Sequence, residues 1–95
     1  MNITFEQTGS GGRYLGKADG IVDPAIMTFS RASPALIIID HTEVPDAMRG
    51  TGAGQALALY AVEEARKGGW KIIPLCPFFH AQMDRHPEWR DVLNG

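Results

Sequence analysis

Apolar and polar positions change rhythm twice along this chain. From Arg13 to Ala18 they partly alternate, with Gly16 inside the run, and Asp23-Pro24 opens a second strand-like segment, Ala25-Ile26-Met27-Thr28-Phe29. Asp19-Gly20 between them is a turn signal, and Ala32-Ser33-Pro34 marks a further break. Such short spacing predicts an antiparallel meander. Leu36-Ile37-Ile38-Ile39 is instead a continuous apolar run, the pattern of a central strand covered on both faces. It passes into the polar stretch Asp40-His41-Thr42-Glu43-Val44, followed by Pro45-Asp46.

The period then becomes helical. After a glycine-rich loop, Leu57, Ala58, Ala61, Val62 and Ala65 form an apolar stripe, which predicts a helix from Thr51 or Gly52 to Lys67. Alanines on that stripe let the helix lie close to a sheet, and Gly68-Gly69 supplies a stop. Trp70 to Leu75 reads as a short strand, so strand, helix and strand make a parallel pair with a right-handed crossover. Pro77 suits the first position of a second helix, running to about Arg85 and ended by His86-Pro87. Glu88 to Leu93 reads as a closing turn. The predicted class is α+β: a mixed sheet of an antiparallel meander plus a parallel strand pair, with two main helices.

The 95 residues suffice for one domain, expected to span residues 1–95. The charged fraction of 21% and net charge of -2, with both signs scattered, offer no basic patch for nucleic acid or a membrane surface. No apolar run is long enough to cross a bilayer, and the first residues lack the pattern of a signal peptide. One cysteine rules out an internal disulfide framework and fits a reducing cytoplasm.

The candidate chemistry begins with Arg49-Gly50-Thr51-Gly52-Ala53-Gly54, between a strand and the start of a helix. Glycines let backbone approach a ligand closely, the first helical N–H groups lack partners, and the helix dipole favours an anion. Together these make a phosphate cradle, with Arg49 adding a full charge. The plainer reading is a loop whose glycines only permit tight packing. A nucleoside-triphosphate loop needs Lys-Ser/Thr after its last glycine, where Gln55-Ala56 stand. A dinucleotide fingerprint needs G-x-G-x-x-G and a longer chain.

What remains is [Arg/Gln]-x-x-Gly-x-[Gly/Ala], which resembles the CoA-pyrophosphate motif of the GNAT superfamily of N-acetyltransferases. Gly12-Arg13-Tyr14, Asp40-His41-Thr42-Glu43-Val44, Pro74-Leu75-Cys76-Pro77-Phe78 and Arg85-His86-Pro87-Glu88-Trp89 resemble its minimal YjdJ-type branch in order and spacing. The resemblance covers roughly residues 12–91. It implies acetyl-CoA as co-substrate, entering between two splayed strands. Backbone groups around Thr42, Glu43 and Val44 would meet the pantetheine, and Arg49, Gly50, Thr51, Gly52, Ala53, Gly54 and Gln55 the pyrophosphate. It also implies attack of a primary amine, on a protein or a small molecule, on the thioester. The tyrosine that many members carry in the last helix is absent, and so are substrate-side helices near the start.

Cys76 and His41 are the candidate catalytic groups. Cys76 would lie at the thioester end of the channel, as an acetyl carrier, as lining, or as inert core. His41 suits either proton removal from the amine or a hydrogen bond that orients the strand end. Cys76, His80 and Asp84 recur every four residues, but Pro77 breaks that face, and no metal site is assigned. The expected partners are acetyl-CoA and an amine acceptor, with the chain a monomer or weak homo-oligomer. A non-catalytic CoA-binding module is the alternative.

Overall fold

The computed structural model describes residues 1–94. Five strands, β1 Asn2–Thr8, β2 Gly11–Lys17, β3 Ala25–Ser33, β4 Leu36–Glu43 and β5 Lys71–Pro74, form one sheet in chain order. β1 to β4 pair antiparallel and β4 pairs parallel with β5. Helix α1, Ala53–Gly68, makes the crossover, and α2, Pro77–Arg85, follows β5. The predicted class and both helices are present. β1 is an addition: its residues are almost all exposed, and the alternation of Ile3 and Phe5 with polar neighbours is too short to mark a strand alone.

Pairing register sorts the sheet into rows. Tyr14, Met27 and Thr42 share one row, Gly12, Phe29 and Ile39 the next, and Ile37 pairs with Ile72 in a third. This face holds the core. The predicted stripe of α1 (Leu57, Ala58, Ala61, Val62 and Ala65) is fully buried against it, and Phe79 and Met83 of α2 join the same cluster. Three alanines on the stripe bring the helix axis close to the sheet, leaving room for large side chains such as Tyr14 and Met27 beneath.

The opposite face departs from expectation. Leu36 and Ile38 are only half-buried, and Arg13, Ser30 and Asp40 stand exposed beside them. The apolar run of β4 thus reflects burial on one face and strand propensity on the other, since β-branched side chains suit a pleated surface whether or not it is covered.

Helix ends follow local chemistry. Gly69, at φ 76°, closes α1 in the left-handed conformation, its N–H donating to Ala65 O. Pro77 opens α2, where a missing N–H costs nothing. Beyond α2 a 3-10 segment, Pro87–Val92, returns along α1, and Asn94 N–H donates to Ile72 O on the outer side of β5. Arg66 ties this return to α1 with two bonds of 2.9 Å to the Asp91 carboxylate and one to Glu88 O.

The Arg66 hydrogen bonds hold the Asp91 carboxyl below its ordinary pKa. A carboxyl depressed on folding stabilises the native state above its unfolded pKa and loses that contribution as pH falls through the folded one. Asp91→Asn is therefore expected to lower Tm at pH 7 and to match the wild type once pH drops below the aspartate range. Thermal melts at stepped pH check this; a constant difference would mean that Asp91 acts by packing alone.

Candidate functional site

The site begins where the parallel pair stops. β4 and β5 pair from Leu36 with Lys71 to Ile39 with Pro74, and Cys76 N–H makes the last cross-link, 2.9 Å to Ile39 O. Beyond it β4 continues to Glu43 against β3 alone, while the other chain turns into α2. The register jumps from Phe29–Ile39 to Thr28–His41, so Asp40 is an extra, bulged residue at the point of departure. Its carboxylate accepts hydrogen bonds from the Thr28 and Ser30 hydroxyls, which fixes the bulge from the open face. The edge of β4 from Asp40 to Glu43 is left without a strand partner, offering backbone donors and acceptors to a linear ligand.

Cys76 and Thr42 meet inside this gap, with Sγ and Oγ1 3.4 Å apart. Cys76 is 3% exposed, so anything reaching its sulfur must come through the gap. His41 lies elsewhere. It pairs in register with Thr28, and adjacent residues of a strand point to opposite faces, so its exposed imidazole stands on the open face while Thr42 stands on the helical one. The two candidate catalytic side chains are thus separated by the backbone of β4.

The glycine loop lies at the same end. After the 3-10 turn Asp46–Met48, Gly50 and Gly52 both adopt φ of 80°, a conformation costing most other residues roughly 1–2 kcal/mol. The amides of Gly50, Gly52, Ala53, Gly54 and Gln55 donate to no protein acceptor among the described residues, and Gly52 caps α1 without a side-chain bond. A Cβ on Gly50 would meet nothing within 4 Å, and on Gly52 only the Gln55 amide oxygen at 3.8 Å. The result is an open cradle of outward N–H groups at a helix start, which suits a pyrophosphate. Thr51 is held otherwise: its hydroxyl donates to Met48 O and fixes the turn. Arg49 pairs with Asp46 at 3.0 Å, but both are highly exposed, so the guanidinium is free to move to an anion.

Gly54 differs from the other two. A Cβ there would stand 2.7 Å from Cζ of Phe78, so this glycine lets the first residues of α2 close against the start of α1. The packing reading of the loop holds at this position, and the ligand reading fits Gly50 and Gly52. Val44, Met48, Arg49, Gly52, Gln55 and Phe78 are among the residues around a cavity of about 390 Å³ over the cradle. Met48 carried no signal of its own in the sequence, because a buried apolar residue beside a turn looks like any core position, and Phe78 stood there only as the end of the Cys-Pro block.

Val44 also borders a second cavity, of about 420 Å³, with Asp23, Ile26, Glu43 and Asp46. Glu43 and Asp46 lie three residues apart at the end of β4, and Asp23 joins them from the loop before β3, twenty residues upstream. The two tyrosines of the chain, Tyr14 and Tyr60, stand edge to face 5.5 Å apart on β2 and α1, and burial raises the pKa of the Tyr14 phenol. Neither belongs to the last helix. His80 and Asp84 form an exposed pair at 3.4 Å, and no group of three metal-ligating side chains occurs among the described residues.

A mixed sheet whose one parallel pair splays beside a glycine turn at the start of the crossover helix is the arrangement that the acetyltransferase resemblance implies. The family model of GCN5-related N-acetyl-transferases matches residues 13–92. A GCN5-like protein from Staphylococcus aureus, assigned as an N-acetyltransferase and solved in solution by NMR, is 30% identical over 99% of this chain and 90% of its own. The two folds agree with a TM-score of 0.70. No curated protein matches. The chain belongs to the GCN5-related N-acetyl-transferase family, and it is an acetyltransferase. No helix among the described residues is long and apolar enough to cross a membrane.

Proposed function

We propose that this protein transfers acetyl from acetyl-CoA to a primary amine, and that it is one of the minimal, YjdJ-type members working in the cytoplasm. The observation that carries this reading is the gap between β4 and β5, which opens beside five free amides at the start of α1. The pyrophosphate is held by Gly50, Gly52, Ala53, Gly54 and Gln55, with Thr51 shaping the turn and Arg49 swinging in from Asp46. The pantetheine follows the free edge of β4 at Thr42, Glu43 and Val44 and ends near Cys76. The bound thioester supplies the activated acyl group.

The acceptor comes from the other side of β4. The cavity beside Val44 presents Asp23, Glu43 and Asp46 and draws in a protonated amine. His41 is on the same face of the strand as Glu43, two residues away, and accepts the proton that the amine must lose. The amine nitrogen then bonds to the thioester carbon, the carbon–sulfur bond breaks, and the thiolate of CoA departs. Positioning on β4 is the chief contribution of the protein. The contact of the Cys76 sulfur with the Thr42 hydroxyl supports a second, covalent reading, in which Cys76 takes the acetyl group from the thioester first, CoA leaves as the thiol, and the amine then takes the acetyl from Cys76.

The test is release of free CoA thiol across a panel of amines, including a polyamine, a lysine peptide and a free N-terminus. At least one acceptor is expected to give turnover, and His41→Gln is expected to lower its rate and change its pH–rate profile. Tight acetyl-CoA binding with no turnover on any amine would make the protein a binding module instead. Intact mass after mixing with acetyl-CoA separates the two routes. A gain of about 42 Da, absent from Cys76→Ser, establishes the covalent one.

A further inference from the structure

The two edges of the sheet are built differently. At one edge β5 has four residues and carries Lys71 and Pro74. The returning chain shields it, with Leu93 bridging to Ile72 and Asn94 N–H donating to the Ile72 carbonyl. Short length, lysine, proline and cover are the devices that keep a sheet edge from pairing with another chain. At the other edge β1 runs for seven residues without a bulge, a proline or a lysine, and six of them are exposed. Its one charge, Glu6, is tied to Arg13 of β2 at 2.7 Å. Every second residue of an antiparallel edge strand turns its N–H and C=O outward, so this edge offers hydrogen bonds along its whole length. We propose that β1 is a docking edge for a second copy of this chain. The two β1 strands pair antiparallel about a two-fold axis at Phe5, joining both sheets into one.

A second copy is the occupant because the strand is self-complementary. Phe5 is the midpoint of Asn2–Thr8, so an axis there brings the whole strand into the ladder. Asn2 then stands opposite Thr8 of the second copy, Ile3 opposite Gln7 and Thr4 opposite Glu6. An axis at Thr4 would leave Thr8 without a partner, and an axis at Glu6 would set two like charges face to face. An axis between residues would pair side chains from opposite faces of the sheet. The aromatic chemistry agrees. Phe5 is 43% exposed although its ring lies against Tyr14 and Phe29, at centroid distances of 5.6 and 5.7 Å. The axis brings the uncovered part of that ring against its own copy, an aromatic pair across the strands. On the open face each Glu6 faces a threonine rather than a charge and keeps Arg13 on its other side. The gap between β4 and β5 lies at the far side of the sheet, so each protomer keeps an open site.

Sedimentation velocity across protein concentration tests this. The average mass is expected to rise from monomer towards dimer between about 10 μM and 1 mM, as suits a small interface. Thr4 is exposed and reads the register. Thr4→Lys sets an opposite charge across from Glu6 of the second copy, twice per dimer, and is expected to tighten association about 5-fold. Thr4→Glu sets a like charge there and is expected to weaken it about 5-fold. Phe5→Ser is expected to abolish association. Because Phe5 also packs on Tyr14, the Thr4 pair reads the interface even where Phe5→Ser loosens the fold. A protein that stays monomeric at about 1 mM overturns the proposal. So does a dimer that responds alike to Thr4→Lys and Thr4→Glu, or one that a folded Phe5→Ser leaves intact.

Discussion

Gly52→Asp is expected to leave the protein folded and to weaken acetyl-CoA binding about 100-fold. The position has space, since an added Cβ would meet only the Gln55 amide oxygen at 3.8 Å. Its φ of 80° costs a non-glycine residue roughly 1–2 kcal/mol, a cost the domain can carry, and aspartate is among the residues that tolerate this region best. The effect on the ligand is larger. A carboxylate at the helix cap stands among the free amides of the cradle, competes for them, and repels a pyrophosphate. Two unit charges about 4 Å apart interact by roughly 4 kcal/mol near a protein surface, and a screened part of that suffices for the expected loss.

Gly54→Ala provides the contrast. Its Cβ would press on the Phe78 ring at 2.7 Å, so it is expected to cost about 1–3 kcal/mol of stability. Titration calorimetry and thermal melts on both variants separate the two roles of the loop. Normal affinity in a folded Gly52→Asp would make the loop a packing turn and withdraw the cradle.

Ile39→Ala is expected to be the most destabilising single truncation at the site, at about 2–5 kcal/mol, or a fall in Tm of roughly 10–25 °C. Ile39 is fully buried, pairs with Pro74 at the last rung of the parallel ladder, and its carbonyl accepts the Cys76 N–H. Removing its side chain opens a cavity at the point where the strands part. Ile38→Ala, one residue away, is expected to cost only about 1 kcal/mol, because that side chain is half-buried on the uncovered face. Equal losses in the two variants would mean that the second face of the sheet is covered in solution.

These two isoleucines also mark the boundary of what the sequence reveals. Leu36 to Ile39 is an unbroken apolar run, and such a run is compatible with one covered face or two. Local pattern reports which residues suit a strand. Which faces receive a helix depends on where α1 and α2 come to rest, and both rest on the side of Ile37 and Ile39. β1 was illegible for a related reason. Asn2–Thr8 is held mainly by its ladder with β2, and the alternation of Ile3 and Phe5 spans too few positions to mark a strand alone.

The candidate site divides in the same way. The cradle is written contiguously, because a turn needing positive φ followed by a helix start uses consecutive residues, and Gly50 and Gly52 are where the backbone requires them. The pairing of Cys76 with Thr42 joins residues 34 apart and exists only because β4 and β5 part at Ile39. The acidic cavity gathers Asp23 and the pair Glu43 and Asp46 from separate segments.

By itself the sequence determined the two helices, the order of the elements from β2 onward and the glycine turn before α1, since these rest on short-range periodicity and local backbone geometry, while the acetyltransferase resemblance rested on contiguous motifs. The tertiary structure decided the rest. It assigned Gly54 to packing against Phe78, left one sheet face open, and put His41 and Cys76 on opposite sides of β4. Those outcomes depend on strand register, where a single bulged residue at Asp40 redirects the side chains that follow, and no local pattern encodes that.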